Sequence, residues 1–286
     1  MTGKGKLRLK TEIDDRSGFC FGVVKAIKKA ESLLNQGEEV YCVGQIVHNE
    51  EEVKRLKKKG LTTISYKDLP KFKHKNILFR AHGEPPESYS KAREHDNRIV
   101  DASCPIILKL QSDIRKAHEN GENVFIFGKH NHPEVIGLTG QTGNQAVVFQ
   151  SLEELRDKAL PDRLTLFSQT TMSLGEFYNA ADYLENQGTE VKVRDSICRQ
   201  VSNRREELER FCQTHDKIVF VAGKHSSNGK VLYNICKQQN PRAHFVSSAK
   251  EVRSEWFNEE ETVGICGATS TPHWLLEQVK ETLDAL

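Results

Sequence analysis

The feature that most constrains the fold is a cysteine environment that recurs three times along the chain. Cys20, Cys104 and Cys198 each end an extended stretch and stand before a stretch with helical spacing. They are separated by 84 and 94 residues, roughly the length of one small α/β unit. The sequence therefore predicts three structurally equivalent units.

The loops that follow the cysteines keep the same register. The glycines Gly44, Gly128 and Gly223 lie 24, 24 and 25 residues after the three cysteines. Each is followed four residues later by a polar residue: His48, His132 and Ser227. The segment directly after a later predicted strand of each unit also contains a polar residue: His82, Thr170 and Ser270. Each unit is thus expected to present matching polar loops.

Strands that alternate with helices predict an α/β fold with mainly parallel sheets and right-handed crossovers. We predict three pseudo-threefold-related α/β units, a trefoil, with boundaries at 1–104, 105–197 and 198–286. Polar loops at the carboxyl ends of parallel strands are where ligands bind in such sheets. The three cysteines and their loops are therefore expected to converge on one central cavity.

Twelve strands are predicted from apolar runs and apolar/polar alternation. They are 6–13, 39–43, 62–65, 76–79, 98–100, 123–127, 146–149, 164–167, 190–193, 217–221, 244–246 and 262–266. Seven helices are predicted, at 23–35, 50–59, 85–95, 106–119, 175–186, 202–213 and 272–286.

Charge and composition narrow the classes of partner. The 42 basic and 40 acidic residues are interspersed, which disfavours a nucleic-acid-binding surface.

The basic start, 1–10, is followed by polar residues, so we expect neither a signal peptide nor a membrane segment. Seven cysteines without a secretory signal favour a reducing, cytoplasmic location. We expect a monomer or a weak dimer.

Three thiolates from three units suit a soft metal centre such as an iron-sulfur cluster, zinc or cuprous copper. A four-iron cluster on Cys20, Cys104 and Cys198 would leave one iron without a protein ligand, able to bind a substrate oxygen and deliver electrons. The spacing typical of ferredoxins, with two residues between cysteines, is absent from the sequence. We interpret the other four cysteines as ordinary buried thiols: Cys42, Cys212, Cys236 and Cys266.

The turn His132-Pro133-Glu134 places an imidazole and a carboxyl group together at a predicted helix start, which suits proton delivery to a leaving hydroxyl. Hydrogen-bond donors near other helix starts suit phosphate oxygens. These donors are His48, His82, Ser226, Ser227, Asn228 and Ser270. For Ser226 or Ser270 taken singly, capping of a helix is a sufficient explanation.

In these residues the chain resembles the 4-hydroxy-3-methylbut-2-enyl diphosphate reductases, the LytB/IspH family of the non-mevalonate isoprenoid pathway. The resemblance rests on nine motifs in order: GFCFGV, VHNEEEV, RAHGEPP, DASCP, HNHPEV, SQTT, DSIC, HSSN and GATSTP. It covers nearly the whole chain.

The resemblance implies an iron-sulfur reductase that forms isopentenyl and dimethylallyl diphosphate by a two-electron, two-proton reductive dehydroxylation. It implies one 4Fe-4S cluster on Cys20, Cys104 and Cys198 in the central cavity, with ferredoxin or flavodoxin as electron donor. Glu134 takes the position of the family's proton donor, and Thr170 that of the threonine that orients the substrate hydroxyl. The diphosphate pocket maps onto His48, His82, His132, Ser226, Ser227, Asn228 and Ser270.

The chain departs from the family pattern beside these residues. Arg199 to Arg205 stand where a run of small residues and threonine that ends in Asn-Arg-Gln is expected. Phe21 replaces an alanine, and Glu84 replaces a small apolar residue. These departures bear on contacts at the rim of the site and on redox tuning rather than on the reaction.

Three alternatives remain open from the residues alone. An aconitase-type dehydratase would use the same cluster as a Lewis acid without net electron transfer. An iron-sulfur sensor or electron-transfer protein would have no substrate, and a structural zinc site would have no iron.

Overall fold

The structure is a computed structural model that describes residues 7–156 and 158–286. Lys6, the first residue of the predicted strand 6–13, lies outside the described residues, as do residues 1–6 of the basic start. The strand itself begins at Lys10 and ends at Ile13.

All twelve predicted strands are present, most within one residue of the predicted bounds. They are β1 Lys10–Ile13, β2 Val40–Val43, β3 Thr62–Ile64, β4 Asn76–Phe79, β5 Arg98–Asp101, β6 Val124–Phe127, β7 Val147–Phe149, β8 Arg163–Ser168, β9 Glu190–Val193, β10 Lys217–Val221, β11 Ala243–Val246 and β12 Thr262–Gly267.

The described residues form ten α-helices, three more than the seven that were predicted with bounds. They are α1 Phe21–Asn35, α2 Glu50–Lys58, α3 Pro86–Arg93, α4 Pro105–Glu119, α5 Pro133–Thr139, α6 Leu174–Asn186, α7 Arg199–Ser202, α8 Arg204–Gln213, α9 Ser227–Gln239 and α10 His273–Asp284. The longest helix that was not predicted is α9. Its start, Ser-Asn-Gly, has the composition of a loop, which explains why the sequence pattern did not indicate a helix there.

The strands form three four-stranded sheets in which every pairing is parallel. The strand orders are β3-β2-β4-β5, β7-β6-β8-β9 and β11-β10-β12-β1. The three orders are the same once β1 is counted as the fourth strand of the last sheet. This confirms the predicted class, three α/β units with parallel sheets.

The position of β1 differs from the predicted boundaries, which grouped it with residues 1–104. It pairs in parallel with β12, with Lys10 opposite Thr262 and Ile13 opposite Ile265. Its alternating exposed and partly buried residues are typical of an edge strand. The chain therefore starts with the edge strand of its last sheet, as β5 and β9 are the edge strands of the other two.

The chain divides into two compact bodies. Body I contains residues 7–23, 47–56 and 203–286, and body II contains the described residues of 24–46 and 57–202. Body I holds the sheet with β1, and body II holds the other two sheets.

The central strands carry the cores of the two bodies. Every residue of β6 is buried, as are Ile218 to Val221 of β10, because helices cover both faces of a parallel sheet. In body II, Phe177 and Leu184 of α6 pack on the sheet with Phe149 and Leu166. In body I the sheet is covered on one side by α10 and on the other by α8 and α9. Among the described helices, none is long and apolar enough to cross a bilayer.

Candidate active site

Each of the three repeat cysteines stands directly before a helix. The helices α1, α4 and α7 begin at Phe21, Pro105 and Arg199, each one residue after its cysteine. All three cysteine residues are partly exposed, and among the described residues the structure contains no disulfide bond. The predicted order of extended segment, cysteine and helix is confirmed in all three repeats.

One backbone hydrogen bond fixes each cysteine in the same way. The amide of Cys20 donates to the carbonyl of Thr269 at 3.0 Å, that of Cys104 to Ala81 at 3.0 Å, and that of Cys198 to Thr170 at 2.9 Å. Each acceptor lies two residues beyond the end of the third strand of its sheet, β12, β4 or β8. The three cysteine positions are therefore equivalent in backbone geometry as well as in sequence order.

In body II the carboxyl group of Glu134 is bound by Thr170 through two hydrogen bonds. The Thr170 amide donates to Oε1 at 2.6 Å, and the Thr170 hydroxyl group donates to Oε2 at 2.9 Å. Glu134 lies in the first turn of α5 and is 2% exposed, while Thr170 follows β8 and is 4% exposed. Both carboxyl oxygens are thus held in one orientation.

Burial raises the pKa of Glu134 to about 7, against the two hydrogen bonds from Thr170, which lower it. Desolvation disfavours the charged carboxylate, whereas donors to its oxygens favour it. A carboxyl group with a pKa near neutrality exists in both protonation states at pH 7. Glu134 therefore has the property required of a general acid.

His132 caps the helix that carries Glu134. Its Nδ1 accepts a hydrogen bond from the Glu134 amide at 3.2 Å, so a neutral His132 carries its proton on Nε2. The ring of His82 meets the ring of His132 edge to face, with the centroids 5.6 Å apart. Two imidazoles thus lie together at the start of the helix that carries Glu134.

The loops of His82 and His132 approach closely because glycines line their contact. A Cβ atom on Gly137 would lie 2.9 Å from the carbonyl oxygen of Gly83, closer than real Cβ atoms come to any atom. Gly83 has a φ of +73°, a conformation that favours glycine. Both glycines are therefore needed to bring the two histidines together.

The predicted site residues of body II form one continuous series of contacts from Cys104 to Cys198. Cys104 bonds to Ala81, the neighbour of His82, and Cys198 bonds to Thr170, the partner of Glu134. All six predicted site residues in this body are included: His82, Cys104, His132, Glu134, Thr170 and Cys198.

In body I the predicted site residues Ser226 and Ser270 are buried and in contact. Their hydroxyl oxygens are 2.9 Å apart, and Ser226 Oγ also accepts from the Gly229 amide as the cap of α9. Asn228, also buried, donates to the hydroxyl oxygen of Thr269 at 2.7 Å. Thr269 is in turn the residue whose carbonyl holds Cys20.

His48 lies in the same body, against the loop that leads to α9. A Cβ atom on Gly223 would lie 2.2 Å from the His48 carbonyl oxygen, so only glycine fits here. The amide of Lys224 donates to the Glu50 carboxylate at 3.2 Å. The loops around His48 and Ser226 are therefore packed together within body I.

The structure corrects one predicted equivalence among these loops. Counted from the end of the preceding strand, His48, His132 and Ser226 are each five residues on, whereas Ser227 is six. The extra residue, Ala222, lies between the end of β10 and Gly223. Ser226, the cap of its helix as His132 is of α5, is therefore the equivalent of His132.

The same alignment makes Asn228 the counterpart of Glu134 and Thr269 the counterpart of Thr170. In both repeats a side chain in the first helical turn is bonded to a threonine hydroxyl. Thr170 is a predicted site residue but Thr269 is not, because the register of the loop glycines aligns Thr170 with Ser270. If the repeats are aligned on the ends of their strands instead of on the loop glycines, Thr269 falls at the position of Thr170.

Gln169 is a second residue near the site that is not among the predicted site residues. It is completely buried, its Oε1 accepts from the Lys129 amide, and its Nε2 donates to Thr171 Oγ1 at 2.7 Å. It joins the loop after β6 to the loop after β8, and so positions the two loops that carry His132 and Thr170.

Two residues in the segments that depart from the family pattern have structural roles. Arg204 is buried and donates to Asp14 and Ser17, and Ser17 accepts from the Gly267 amide, which anchors the loop that leads to Cys20. Glu84 is fully buried 3.7 Å from the Arg80 guanidinium group, and burial raises its pKa to about 7. Phe21 is 46% exposed on the first turn of α1.

Comparison with known proteins identifies relatives over nearly the whole chain. The family described as LytB protein matches residues 12–284. A protein of Bacteroides fragilis named 4-hydroxy-3-methylbut-2-enyl diphosphate reductase is 44% identical, across 97% of this chain and 98% of its own. A protein of the same name from Bacteroides thetaiotaomicron is 45% identical, across 97% and 99% of the two chains.

Solved structures agree with these relatives. One, described as (E)-4-hydroxy-3-methyl-but-2-enyl diphosphate reductase, the terminal enzyme of the non-mevalonate pathway, has a TM-score of 0.74 at 33% identity and covers 97% of this chain and 99% of its own. A Plasmodium falciparum reductase structure has a TM-score of 0.86 at 23% identity, covers 98% and 91% of the two chains, and shares the fold. With a full-length family match and relatives above 40% identity, the chain belongs to the LytB protein family.

Proposed function

We propose that this protein reduces 4-hydroxy-3-methylbut-2-enyl diphosphate to isopentenyl and dimethylallyl diphosphate. The substrate is the one in the names of its relatives. The allylic C–O bond breaks, the hydroxyl group takes one proton and leaves as water, and two electrons and a second proton enter the carbon skeleton. The observation that carries the proposal is the buried Glu134 carboxyl group, held by Thr170 with a pKa near neutrality.

Glu134 and Thr170 divide the work at the leaving hydroxyl group. Protonated Glu134 supplies the proton that turns a poor leaving group into water, a role that requires a pKa near the working pH. The amide of Thr170 holds one oxygen of the carboxyl group, and its hydroxyl group holds the other and orients the substrate hydroxyl. Because the pair is buried, the proton is delivered to the substrate rather than exchanged with bulk water.

The diphosphate group is bound by neutral donors and imidazoles. We assign this role to His48, His82, His132, Ser226, Ser227, Asn228 and Ser270. In support, Ser226 stands at the amino terminus of α9, and the donors of this helix terminus favour an anion. The proton that His132 carries on Nε2 makes that atom a donor.

We propose that Cys20, Cys104 and Cys198 hold one 4Fe-4S cluster, which supplies electrons and a Lewis-acidic iron when bound. The donor set fits: three cysteines outside disulfides stand at equivalent helix starts with the same backbone hydrogen bond. Cys42 differs, because complete burial raises the pKa of its thiol to about 12.

Cys104→Ser is expected to lose most of the bound iron and of the visible absorbance of the anaerobically purified protein. Cys42→Ser is the matched control and is expected to keep both. Equal iron in the two variants contradicts the ligand assignment, and zinc in place of iron in the wild type contradicts the cluster itself.

The electron donor is proposed to be ferredoxin or flavodoxin, and the location cytoplasmic. The decisive assay is anaerobic turnover with dithionite-reduced methyl viologen, following viologen oxidation and both products. Two viologen radicals oxidised per molecule of product support the reductase. Consumption of substrate without oxidation indicates an aconitase-type dehydratase, and no turnover indicates a sensor or electron carrier.

A further inference from the structure

Body I contains a second group of three cysteines, separate from the three that precede helices. Cys212 of α8, Cys236 of α9 and Cys266 of β12 are completely buried. Their three sulfur atoms all lie within 4.8 Å of one another, and those of Cys236 and Cys266 are 3.9 Å apart. The expectation that these thiols are buried is confirmed, but they are not independent of one another.

The sulfur spacing is close to that of a site for a single metal ion. A metal–sulfur distance of about 2.3 Å puts the sulfur atoms of a tetrahedral or trigonal site roughly 3.8 to 4.0 Å apart. A disulfide bond would require about 2.05 Å. An iron-sulfur cluster places several metal atoms between its cysteines and needs them further apart. The three sulfurs thus need only small rotations to share one ion.

The surroundings provide sulfur ligands alone. Among the described residues, no histidine or carboxylate joins the three sulfur atoms as a fourth ligand. The apolar side chains packed around them include Leu208, Ile218, Phe220 and Leu232. Asp14, Arg204 and His215 lie near enough to interact with the group electrostatically. Structural zinc is almost always held by four ligands, whereas cuprous copper is selected by soft sulfur ligands. We propose that Cys212, Cys236 and Cys266 form a three-coordinate binding site for cuprous copper.

Each sulfur atom binds the ion as a thiolate, so the metal displaces the thiol protons as it binds.

Complete burial determines how the ion enters. The three residues come from two helices and a strand that pack together in the core, and none of them is exposed. The ion must therefore be bound before α8 and α9 dock on β12. Copper supplied during synthesis of the chain is expected to be retained through purification.

The test uses the full chain with Cys20, Cys104 and Cys198 all changed to Ser, so that the proposed cluster ligands cannot bind copper. This protein is produced in copper-supplemented medium, purified without oxygen, and analysed for metals. We expect about one copper per chain. Adding Cys236→Ala should remove at least nine-tenths of the copper, whereas adding Cys42→Ala should remove none.

Equal copper in these two variants, or one zinc in place of copper, would overturn the proposal. If Cys236→Ala does not fold, X-ray absorption at the copper edge of the parent protein decides. Three sulfur neighbours support the site, whereas nitrogen or oxygen neighbours exclude it. The outcome is independent of the reductase proposal, because the parent lacks the cysteines on which that proposal depends.

Discussion

The carboxyl group of Glu134 and the hydroxyl group of Thr170 are bonded at 2.9 Å, and the equivalent positions of the last repeat hold Asn228 and Thr269 at 2.7 Å. The two pairs share their place in the fold but differ in chemistry. An amide cannot transfer a proton near neutral pH, whereas a carboxyl group with a pKa near 7 can. We therefore propose that proton transfer belongs to the repeat with Glu134 and that the amide of Asn228 serves binding.

Replacing Glu134 with Gln should lower kcat by about 10²- to 10⁴-fold, the usual contribution of a general acid, with little change in KM. The amide keeps the size of the side chain but has no acidic proton. Anaerobic turnover with reduced methyl viologen measures the effect. Glu84→Gln is the matched control, since Glu84 is also a buried carboxyl group with a pKa of about 7. Loss of the same size in both variants would remove Glu134 from its special role.

Replacing Thr170 with Val should move the pH dependence of kcat. The Thr170 hydroxyl group lowers the pKa of Glu134, so its loss raises that pKa further. A general acid works only while protonated, and kcat therefore falls as pH rises through its pKa. The falling limb should move to higher pH in Thr170→Val and stay in place in Thr170→Ser, which keeps the donor. A limb that moves to lower pH contradicts this assignment.

Glu84 should make the folded state less stable as pH rises. Its folded pKa of about 7 exceeds the unfolded value of about 4.3, so its stabilising contribution is complete below pH 4 and is lost by pH 7. Glu84→Gln keeps a neutral side chain at every pH. It should unfold at a higher temperature than the wild type at pH 8, by the equivalent of roughly 3 to 4 kcal/mol, and close to the wild type at pH 4.5.

A loss of stability in Glu84→Gln at pH 8 would show that the ion pair of Glu84 with Arg80 matters more than its burial. If ion pairing with Arg80 at 3.7 Å outweighed burial, Glu84→Gln would destabilise the protein at pH 8. Thermal melts of the two proteins at pH 4.5 and pH 8 separate the two cases.

Variants of Ser226 and Ser270 should distinguish the contribution of helix capping to stability from the contribution of the two hydroxyl groups to substrate binding. Ser226→Ala removes the cap of α9 and should cost about 1 kcal/mol of stability, together with a higher KM. Ser270→Ala leaves that cap in place and should raise KM with a smaller loss of stability. Ser173, the cap of α6, is the control, since Ser173→Ala should lower stability alone. An unchanged KM in both Ser226→Ala and Ser270→Ala would exclude this pair from the diphosphate pocket.

Local patterns in the sequence determined most of the fold. Apolar runs such as Val124–Phe127 predict buried parallel strands, and each repeat cysteine is followed at once by its helix. Glu134 and its neighbour His132 could be selected because they share one helix start. These features depend on residues a few positions apart, which periodicity and turn chemistry report directly.

Contacts between distant segments were decided only by the tertiary structure. Strand β1 has the alternation of any edge strand, and only its pairing with β12 places it in the last sheet. The pKa of Glu134 depends on burial and on Thr170, which is 36 positions away. Cys212, Cys236 and Cys266 each have the pattern of an ordinary core thiol, and only the packing of α8 and α9 on β12 brings them together. The physical reason is that burial and proximity arise when separate elements pack, and no local spacing encodes them.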